Sequence, residues 1–225
     1  MRSSCFPRRR TTSGCSRAIA APILVAWGAY SPVALATPEL LARARSEVYQ
    51  PVLAELRKRG TPFSGVLYAG LMVDRSGALS VVEFNCRLGD PETQAVLPLV
   101  SGGFTDACWR VAHGEAPVPL DTLPGAAVTT VLAARGYPEC PERGAAITIP
   151  DDLPEGVTVF HAGTARDASG TLRVAGGRVL NVTALASTFS EAQRLSREAA
   201  GRVEFEGKVF RADIGWRQAG RLAAV

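Results

Sequence analysis

A short polar cluster ends the apolar run at the start of VVEFNCRLGDPETQ. Glu83 and Asn85 lie two residues apart in a strand-like segment, so their side chains should point to the same face. Carboxylate and amide oxygens are the ligands that Mg²⁺ or Mn²⁺ prefers, and Mg²⁺ keeps positions open for substrate phosphates. The pair therefore predicts a metal site at the end of a strand.

The residues after this pair predict an anion-binding position and a helix start. Arg87 carries a planar cation that suits a carboxylate or a phosphate. Asp90 is expected to cap a helix whose first residue is Pro91, with Glu92 in the positive first turn. A strand end followed by a capped helix also occurs for structural reasons alone, so the spacing by itself leaves both interpretations open.

Two apolar runs with a turn between them should position this cluster. Residues 65–73 and 79–85 have strand composition, and Asp74-Arg75-Ser76-Gly77 separates them. Asp and Ser bond their own backbone in turns, and Gly supplies the positive φ that a turn needs. We therefore predict a β-hairpin with Glu83 and Asn85 on its second strand.

Helical spacing predicts the element that precedes the hairpin. Thr37 is a suitable N-cap for a helix whose apolar positions continue to Leu56. Pro51 should kink this helix, because proline removes one hydrogen bond and crowds the preceding turn. Residues 28–32, before the helix, are interpreted as a loop.

The proline-rich stretch 116–125 is the predicted boundary between two units, 28–120 and 121–225. The first unit should also contain helices over 91–100 and about 105–113. In the second unit, Thr188 and Glu191 form a capping box that opens a helix over an antiparallel sheet. The strands predicted for that sheet are 126–133, 157–162, and a hairpin of 171–174 with 178–184. The fold class is α+β.

The net charge of +4 resides in the first 27 residues. They hold five arginines and no acidic residue, and without them the chain has 20 basic and 21 acidic residues. The basic balance is therefore weak support for nucleic-acid binding. The five cysteines show no zinc-type spacing, which favours reduced thiols in a cytoplasmic protein.

Residues 1–27 have two interpretations. Their arginines and the apolar stretch after them are compatible with an export signal that has a cleavage-like site at Ala34-x-Ala36. However, the apolar stretch overlaps GAYSP at Gly28, and one segment is poorly suited to both roles. We favour a disordered or partly helical leader. The apolar run is also short for a membrane-spanning helix.

The string VVEFNCRLGDPETQAVLPL resembles the signature of phosphoribosylamine–glycine ligases, which are ATP-grasp enzymes of purine biosynthesis. The resemblance continues without a break from Gly28 to Arg217. Its further motifs are GAYSP, TPELL, GVLYAGLM, AVTTVLAARGYP, VFHAGTA, GGRVLNVTAL and FEGKVFRADIGWR. The resemblance implies a partial ATP-grasp subdomain, an antiparallel sheet with helices, followed by a small α+β carboxyl-terminal domain.

The resemblance also implies an activity. Members of this family join glycine to 5-phosphoribosylamine through an acyl phosphate, and ATP is converted to ADP and phosphate. By motif matching, Glu83 and Asn85 would hold Mg²⁺ or Mn²⁺, and Arg87, Asp90 and Glu92 would orient the substrates. The expected partners are these small molecules, with neither nucleic acid nor membrane. No adenine pocket is assigned, because the family places most of it on sequence that has no counterpart here.

The likeness covers only the carboxyl half of the family pattern. Where members usually continue upstream of GAYSP, this chain has Val25, Ala26 and Trp27. We therefore expect either a ligase that needs a separate amino-terminal half, or a non-catalytic fragment that binds metal or nucleotide weakly. Half a subdomain leaves strand edges unpaired and apolar surface uncovered, so the part before Ala116 is expected to be less well folded than residues 126–225.

Overall fold

The computed structural model describes residues 27–222, with side chains up to Gly220. The predictions for the leader therefore lie outside the described residues, apart from Trp27. The strands are β1 (Gly28–Ser31), β2 (Tyr68–Val73), β3 (Leu79–Asn85), β4 (Val100–Gly102), β5 (Asp121–Thr122), β6 (Ala126–Ala134), β7 (Val157–His161), β8 (Thr164–Arg166), β9 (Leu172–Val174), β10 (Arg178–Ala186) and β11 (Lys208–Val209).

The helices are α1 (Pro38–Arg43), α2 (Gln50–Lys58), α3 (Glu92–Val96), α4 (Phe104–Ala112), α5 (Phe189–Arg202) and α6 (Trp216–Leu222). A π-helical segment, Ala44–Tyr49, joins α1 to α2, and a 3₁₀ turn, Leu97–Leu99, follows α3. Strands and helices are mixed and the strand pairs are antiparallel, which agrees with the predicted α+β class.

The largest sheet has five strands in the order β1-β6-β10-β7, with β11 also paired to β6. Its two long central strands, β6 and β10, are rich in small and β-branched residues and are buried along most of their length. α5 covers one face of this sheet, and α3 contacts β1 and β6. The Ser196 hydroxyl of α5 donates to the Val182 carbonyl at 2.9 Å and lies 2.8 Å from the Thr130 hydroxyl, so helix and sheet are also joined by buried hydrogen bonds.

The predicted hairpin is confirmed as β2 and β3, which pair antiparallel with Tyr68 opposite Asn85. The first strand begins at Tyr68, three residues later than the apolar run suggested. The Asp74 carboxylate accepts the backbone N–H groups of Ser76 and Ala78, at 2.8 and 2.9 Å. Gly77 has a φ of 83°, so the turn uses the residues that its composition predicted.

The helix predicted before the hairpin is confirmed, but its middle is π-helical. The Thr37 hydroxyl accepts the Leu40 N–H at 3.2 Å and caps α1. The hydrogen bonds then widen to the π pattern over Ala44–Tyr49, where the Gln50 N–H reaches the Arg45 carbonyl. Pro51 follows at once, so the chain adjusts its hydrogen bonding in the turn that proline crowds.

The loop predicted for residues 28–32 is wrong for its first four residues. They form β1, which pairs with β6 and places Gly28 opposite Thr130. A Cβ on Gly28 would collide with the Thr129 carbonyl and lie 2.9 Å from the Ile214 side chain, so glycine permits this close approach. The partner strand lies about a hundred residues away, and local composition does not reveal it. The predicted division at 116–125 stays a prediction.

The predicted hairpin of 171–174 with 178–184 is also wrong, although both segments are strands. β9 pairs with β8, whereas β10 pairs with β6 and β7. Gly176 and Gly177 do not form a tight hairpin turn. They lie close to other parts of the chain, since a Cβ on Gly177 would meet the Tyr137 ring at 2.5 Å and one on Gly176 would meet Gly163.

The helix predicted over 91–100 is shorter than expected. α3 contains only Glu92–Val96, the 3₁₀ turn Leu97–Leu99 follows, and Val100 begins β4. The second predicted helix, 105–113, is confirmed as α4, and His113 is its C-cap, as expected. Within residues 27–222, no helix has the length and apolar character needed to cross a membrane.

Candidate active site

A cleft of about 470 Å³ lies between the β2–β3 hairpin, the start of α3 and the first residue of β10. All five residues that the sequence singled out line this cleft: Glu83, Asn85, Arg87, Asp90 and Glu92. Three further residues with polar side chains complete its wall, namely Tyr68, Tyr137 and Arg178. The cleft therefore combines oxygen donors with two guanidinium groups.

Glu83 and Asn85, the two predicted metal ligands, are neighbours in the cleft. The Asn85 Nδ2 donates to Glu83 Oε1 at 3.1 Å, so the two side chains are neighbours on one face of β3, as the alternation predicted. In this arrangement one carboxylate oxygen and the amide carbonyl have no protein donor among the described residues.

The donor set fits a hard divalent cation that is shared with a ligand. A carboxylate oxygen and an amide oxygen suit Mg²⁺ or Mn²⁺. Residues 27–222 contain no group of three or more His, Cys, Asp or Glu residues that could hold a metal ion by themselves. The remaining positions of such an ion would have to come from substrate oxygens or water, as is usual for Mg²⁺.

Arg87 lies two residues beyond Asn85 and lines the same cleft. Its Nη1 donates to the adjacent Leu88 carbonyl at 2.9 Å, and the structure gives it no carboxylate partner within the described range. A guanidinium has five N–H donors, so most of them stay available to an anion. The anion-binding role of Arg87 stays a prediction.

Asp90 does not cap a helix, which corrects the expectation from the sequence. The Asp90 carboxylate instead accepts Arg178 Nη2 at 2.6 Å and Gln94 Nε2 at 3.1 Å. Pro91, and not Asp90, occupies the N-cap position, without a side-chain capping bond. The Asp90 carboxylate is therefore directed to a partner on β10, whose sequence position is far from the capping motif.

Glu92 begins α3 and lies against Tyr68 and Gly89. The Tyr68 hydroxyl donates to Glu92 Oε1 at 3.2 Å. Burial, followed by the nearby Glu92 charge and this hydrogen bond, raises the pKa of Tyr68 to about 12, so its phenol stays protonated. A Cβ on Gly89 would overlap the Glu92 carboxylate and lie 3.1 Å from Glu92 Cβ. Glycine at position 89 thus leaves space for this carboxylate.

Two family models match this chain in order along the sequence. Residues 21–93 match the ATP-grasp (A) domain of phosphoribosylglycinamide synthetase, and residues 127–217 match the C domain of the same enzyme. The chain belongs to the phosphoribosylamine–glycine ligase family. Membership agrees with the resemblance that the sequence motifs indicated.

A curated phosphoribosylamine–glycine ligase from Chlorobaculum tepidum is 48% identical over 192 residues, which is 84% of this chain and 44% of the relative. The chain thus spans less than half the length of this curated relative. A crystal structure of phosphoribosylamine–glycine ligase from Thermotoga maritima has a TM-score of 0.72 and 39% identity, and covers 83% of this chain and 46% of that one.

A more distant solved structure supports the fold assignment. The biotin carboxylase domain of a Hydrogenobacter thermophilus 2-oxoglutarate carboxylase has a TM-score of 0.55 and 18% identity, with 81% of this chain and 40% of that one covered. At that identity the likeness concerns the fold alone. Together with the ATP-grasp family model, it identifies the fold of this family member as a portion of the ATP-grasp architecture.

The sequence analysis did not single out Tyr68, Tyr137 or Arg178. Tyr68 was within reach, because the predicted hairpin places it near Asn85 once the register is known. Arg178 belongs to the five-stranded sheet and Tyr137 to the loop after β6, and both line the cleft. Arg178 is 88 positions from Asp90 in the sequence. No local pattern in the glycine-rich segment before Arg178 signals that contact.

Proposed function

We propose that this chain provides the metal- and phosphate-facing part of a phosphoribosylamine–glycine ligase. The reaction would join glycine to 5-phosphoribosylamine and yield glycinamide ribonucleotide, ADP and phosphate. The observation that supports this proposal is that Glu83, Asn85 and Arg87 line one cleft in a chain of this family.

The chemistry explains why these residue types are needed. An oxygen of the glycine carboxylate attacks the γ-phosphorus of ATP, and the bond from that phosphorus to the bridging oxygen of ADP breaks. The amine of phosphoribosylamine then attacks the acyl carbon, phosphate leaves, and the nitrogen loses a proton as the amide forms. Both anionic reactants must approach each other, so their charges have to be neutralised.

The side chains of the cleft have separate roles in this proposal. Glu83 and Asn85 would hold Mg²⁺ or Mn²⁺, and the ion would supply charge neutralisation at the phosphate oxygens. Arg87 would bind an anionic oxygen through its available N–H donors. Glu92 would face the substrates from the helix start, whereas Asp90 would orient the loop by its bond to Arg178.

The proposal includes a second component, an amino-terminal half, because this chain covers less than half of its relatives. The chain spans 44% of the Chlorobaculum tepidum ligase, so the adenine pocket and the rest of the active site would come from an amino-terminal half. The alternative is a non-catalytic fragment that binds metal or nucleotide weakly. One observation favours this alternative. Glu83 and Asn85 lie on the exposed β2–β3 hairpin, whose strands have no further partners among the described residues.

The test is formation of glycinamide ribonucleotide by the purified chain, alone and mixed with the amino-terminal half of a homologous ligase. Product that depends on ATP, glycine, phosphoribosylamine and the mixture is the expected result. Glu83→Ala should abolish it, whereas Glu206→Ala, which alters an exposed carboxylate outside the cleft, should not. Metal-dependent nucleotide binding without any product would favour the non-catalytic alternative.

A further inference from the structure

An apolar groove of about 760 Å³ lies between α4, the segment 64–66 before β2 and the segment 117–120 before β5. None of the described residues that line this groove carries a charged side chain. None of them lines the metal-facing cleft either. The groove is therefore a separate surface, to which the proposed chemistry gives no role.

The apolar face of α4 forms one wall of the groove. Four residues line the groove at the i, i+3, i+4, i+7 spacing of a single helix face: Phe104, Ala107, Cys108 and Val111. Nevertheless, α4 contains no buried residue. An amphipathic surface helix normally buries its apolar face against the protein, so the described residues leave this face without the cover that its pattern requires.

The other walls of the groove are also apolar and open to solvent. Val66, Leu88 and Leu120 line it and are exposed, at 42%, 38% and 40%. The Ser64 hydroxyl donates to the Val111 carbonyl at 3.1 Å and joins the segment 64–66 to α4. A large exposed apolar surface usually marks a contact site for another protein segment, because leaving it in water is unfavourable.

Leu88 connects the groove to the cleft. It lines the groove, whereas its chain neighbours Arg87 and Gly89 line the cleft. In addition, Arg87 Nη1 donates to the Leu88 carbonyl at 2.9 Å. A segment that fills the groove would therefore pack against the same short loop that carries Arg87.

The part of the relatives that this chain does not cover is the occupant that these observations favour. More than half of the Chlorobaculum tepidum ligase lies outside the matched 44%. The shortage of core is on the side of the groove, since four buried hydrophobic residues precede residue 121 and nineteen follow it among the described residues. A half that completes the cleft must approach the loop at Arg87, and Leu88 brings the groove to that same loop.

We propose that an apolar segment of the amino-terminal half docks in this groove and packs against α4 and Leu88. The existence of that half rests on the proposed function, whereas the apolar character of the docked segment rests on the groove itself. Burial of the exposed side chains drives the association. The contact with Leu88 restrains the loop that carries Arg87, so the cleft depends on a surface that touches no substrate.

The direct test is protection of the Cys108 thiol, which is exposed and lines the groove. The chain is co-expressed with the amino-terminal half of the Chlorobaculum tepidum ligase, and alkylation by iodoacetamide is followed for each cysteine by mass spectrometry. Cys108 should lose most of its reactivity in the complex. Cys140, which is exposed but does not line the groove, is the reference for the reagent. Equal alkylation of Cys108 with and without the half would overturn the proposal.

Variants test whether the groove itself makes the contact. Val111→Asp and Cys108→Asp each place a carboxylate against an apolar segment, so the Kd for the half should rise about tenfold or more. Trp109→Asp is the matched control, because Trp109 lies on the same helix, is 66% exposed and does not line the groove. Cys108 is exposed, so its variant tests the groove even where Val111→Asp does not fold, and circular dichroism verifies each fold. A weakening by Trp109→Asp that equals the other two would show non-specific association and refute the groove.

Two other occupants are outcomes of the same experiment. Protection of Cys108 in the chain alone that grows with concentration, together with a dimer in sedimentation, would assign the groove to a second copy and overturn the proposal. Faster alkylation of Cys108 in the chain alone after deletion of residues 1–26 would assign the groove to the chain's own first residues, and would also overturn it.

Product formation separates this inference from the proposed function. An active mixture whose Kd does not respond to Val111→Asp or Cys108→Asp would refute the groove and leave the ligase function standing. A complex that protects Cys108 without forming product would support the groove and refute the function. Absence of any complex would overturn the docking proposal, whether or not the chain is active.

Discussion

Arg178, the first residue of β10, donates two hydrogen bonds to Asp90, 2.8 Å to its carbonyl and 2.6 Å to its carboxylate. These residues are 88 positions apart, and their pairing joins the five-stranded sheet to the loop that carries Arg87 and Glu92. The Tyr68 hydroxyl of β2 donates to Glu92 Oε1 at 3.2 Å. The loop is thus fixed between two sheets, which sets where its side chains lie in the cleft.

Removal of the Arg178 side chain should loosen this loop without unfolding the sheet. The pair is partly exposed, so the coupling between Arg178→Ala and Asp90→Ala in a double-mutant cycle should be about 0.5–1 kcal/mol. Hydrogen exchange in residues 86–96 should accelerate. Arg194→Ala, which breaks an exposed pair on α5, provides the control. Unchanged exchange in that segment would show that the pair does not restrain the loop.

Gly89→Ala should impair the site more than it impairs stability. The new Cβ would overlap the flexible end of the Glu92 side chain and lie 3.1 Å from Glu92 Cβ, so the cost should be near the lower end of about 1–3 kcal/mol. The displaced carboxylate should reduce product formation in the mixture assay, while the urea midpoint falls only slightly. Gly201→Ala on α5 meets no atom within 4 Å and should leave activity unchanged. Equal activity of both variants would remove Glu92 from the site.

Tyr68 should ionise at a higher pH than an ordinary tyrosine. Its pKa is raised from 10.0 to about 12, so its contribution to stability is complete below pH 10 and is lost as the pH rises toward 12. Absorbance titration at alkaline pH should reveal one late transition that is missing in Tyr68→Phe. Tyr49→Phe serves as the comparison. A late transition that persists in Tyr68→Phe would assign it to another tyrosine.

Lys208 should stabilise the end of α5. Its Nζ donates to the carbonyls of Ala200, at 3.3 Å, Gly201, at 2.8 Å, and Val203, and its side chain is only 12% exposed. Lys208→Ala removes these bonds and a cation from a helix C-terminus, so urea denaturation should show a loss of about 1–2 kcal/mol. Lys58→Ala, at the exposed end of α2, should cost less than half as much.

Hydrogen exchange should distinguish the two parts of the chain. Among the described residues, only four buried hydrophobic residues precede residue 121, whereas nineteen lie between 126 and 205. Protection should therefore be low in β2 and β3 and high in β6 and β10, because local opening exposes little apolar surface in the hairpin. An amino-terminal half should raise protection in the hairpin. Uniform protection of both parts would contradict this expectation and the one drawn from the sequence.

The sequence correctly predicted the turns and helix caps that depend on neighbouring residues. The turn at Asp74, the cap at Thr37 and the capping position at Thr188 each depend on residues within four positions, and each is present. The wrong predictions all involve distant partners. Residues 28–31 form a strand because they pair with β6. β10 pairs with β6 and β7 and not with β9. The Asp90 carboxylate accepts a hydrogen bond from Arg178 and does not cap the helix that follows it.

In the candidate site, too, local contacts were predictable from the sequence and long-range contacts were not. Alternation along one strand placed Glu83 beside Asn85, and a short chain distance kept Arg87 and Glu92 in the same cleft. The sequence could not supply Arg178 or Tyr137, because their approach depends on how two sheets pack.

The pairing of Ser31 with Ala127 joins two strands that are far apart in the sequence. β1 and β6 are antiparallel neighbours, so the whole segment from residue 32 to 125, which includes Glu83 and Asn85, connects two paired strands of the sheet. Loop-closure entropy rises only slowly with length, so the sheet tolerates an excursion of this size. The segment that carries the candidate site could therefore be replaced or elaborated during evolution, or exchanged for a short turn in the laboratory, while the sheet keeps its register.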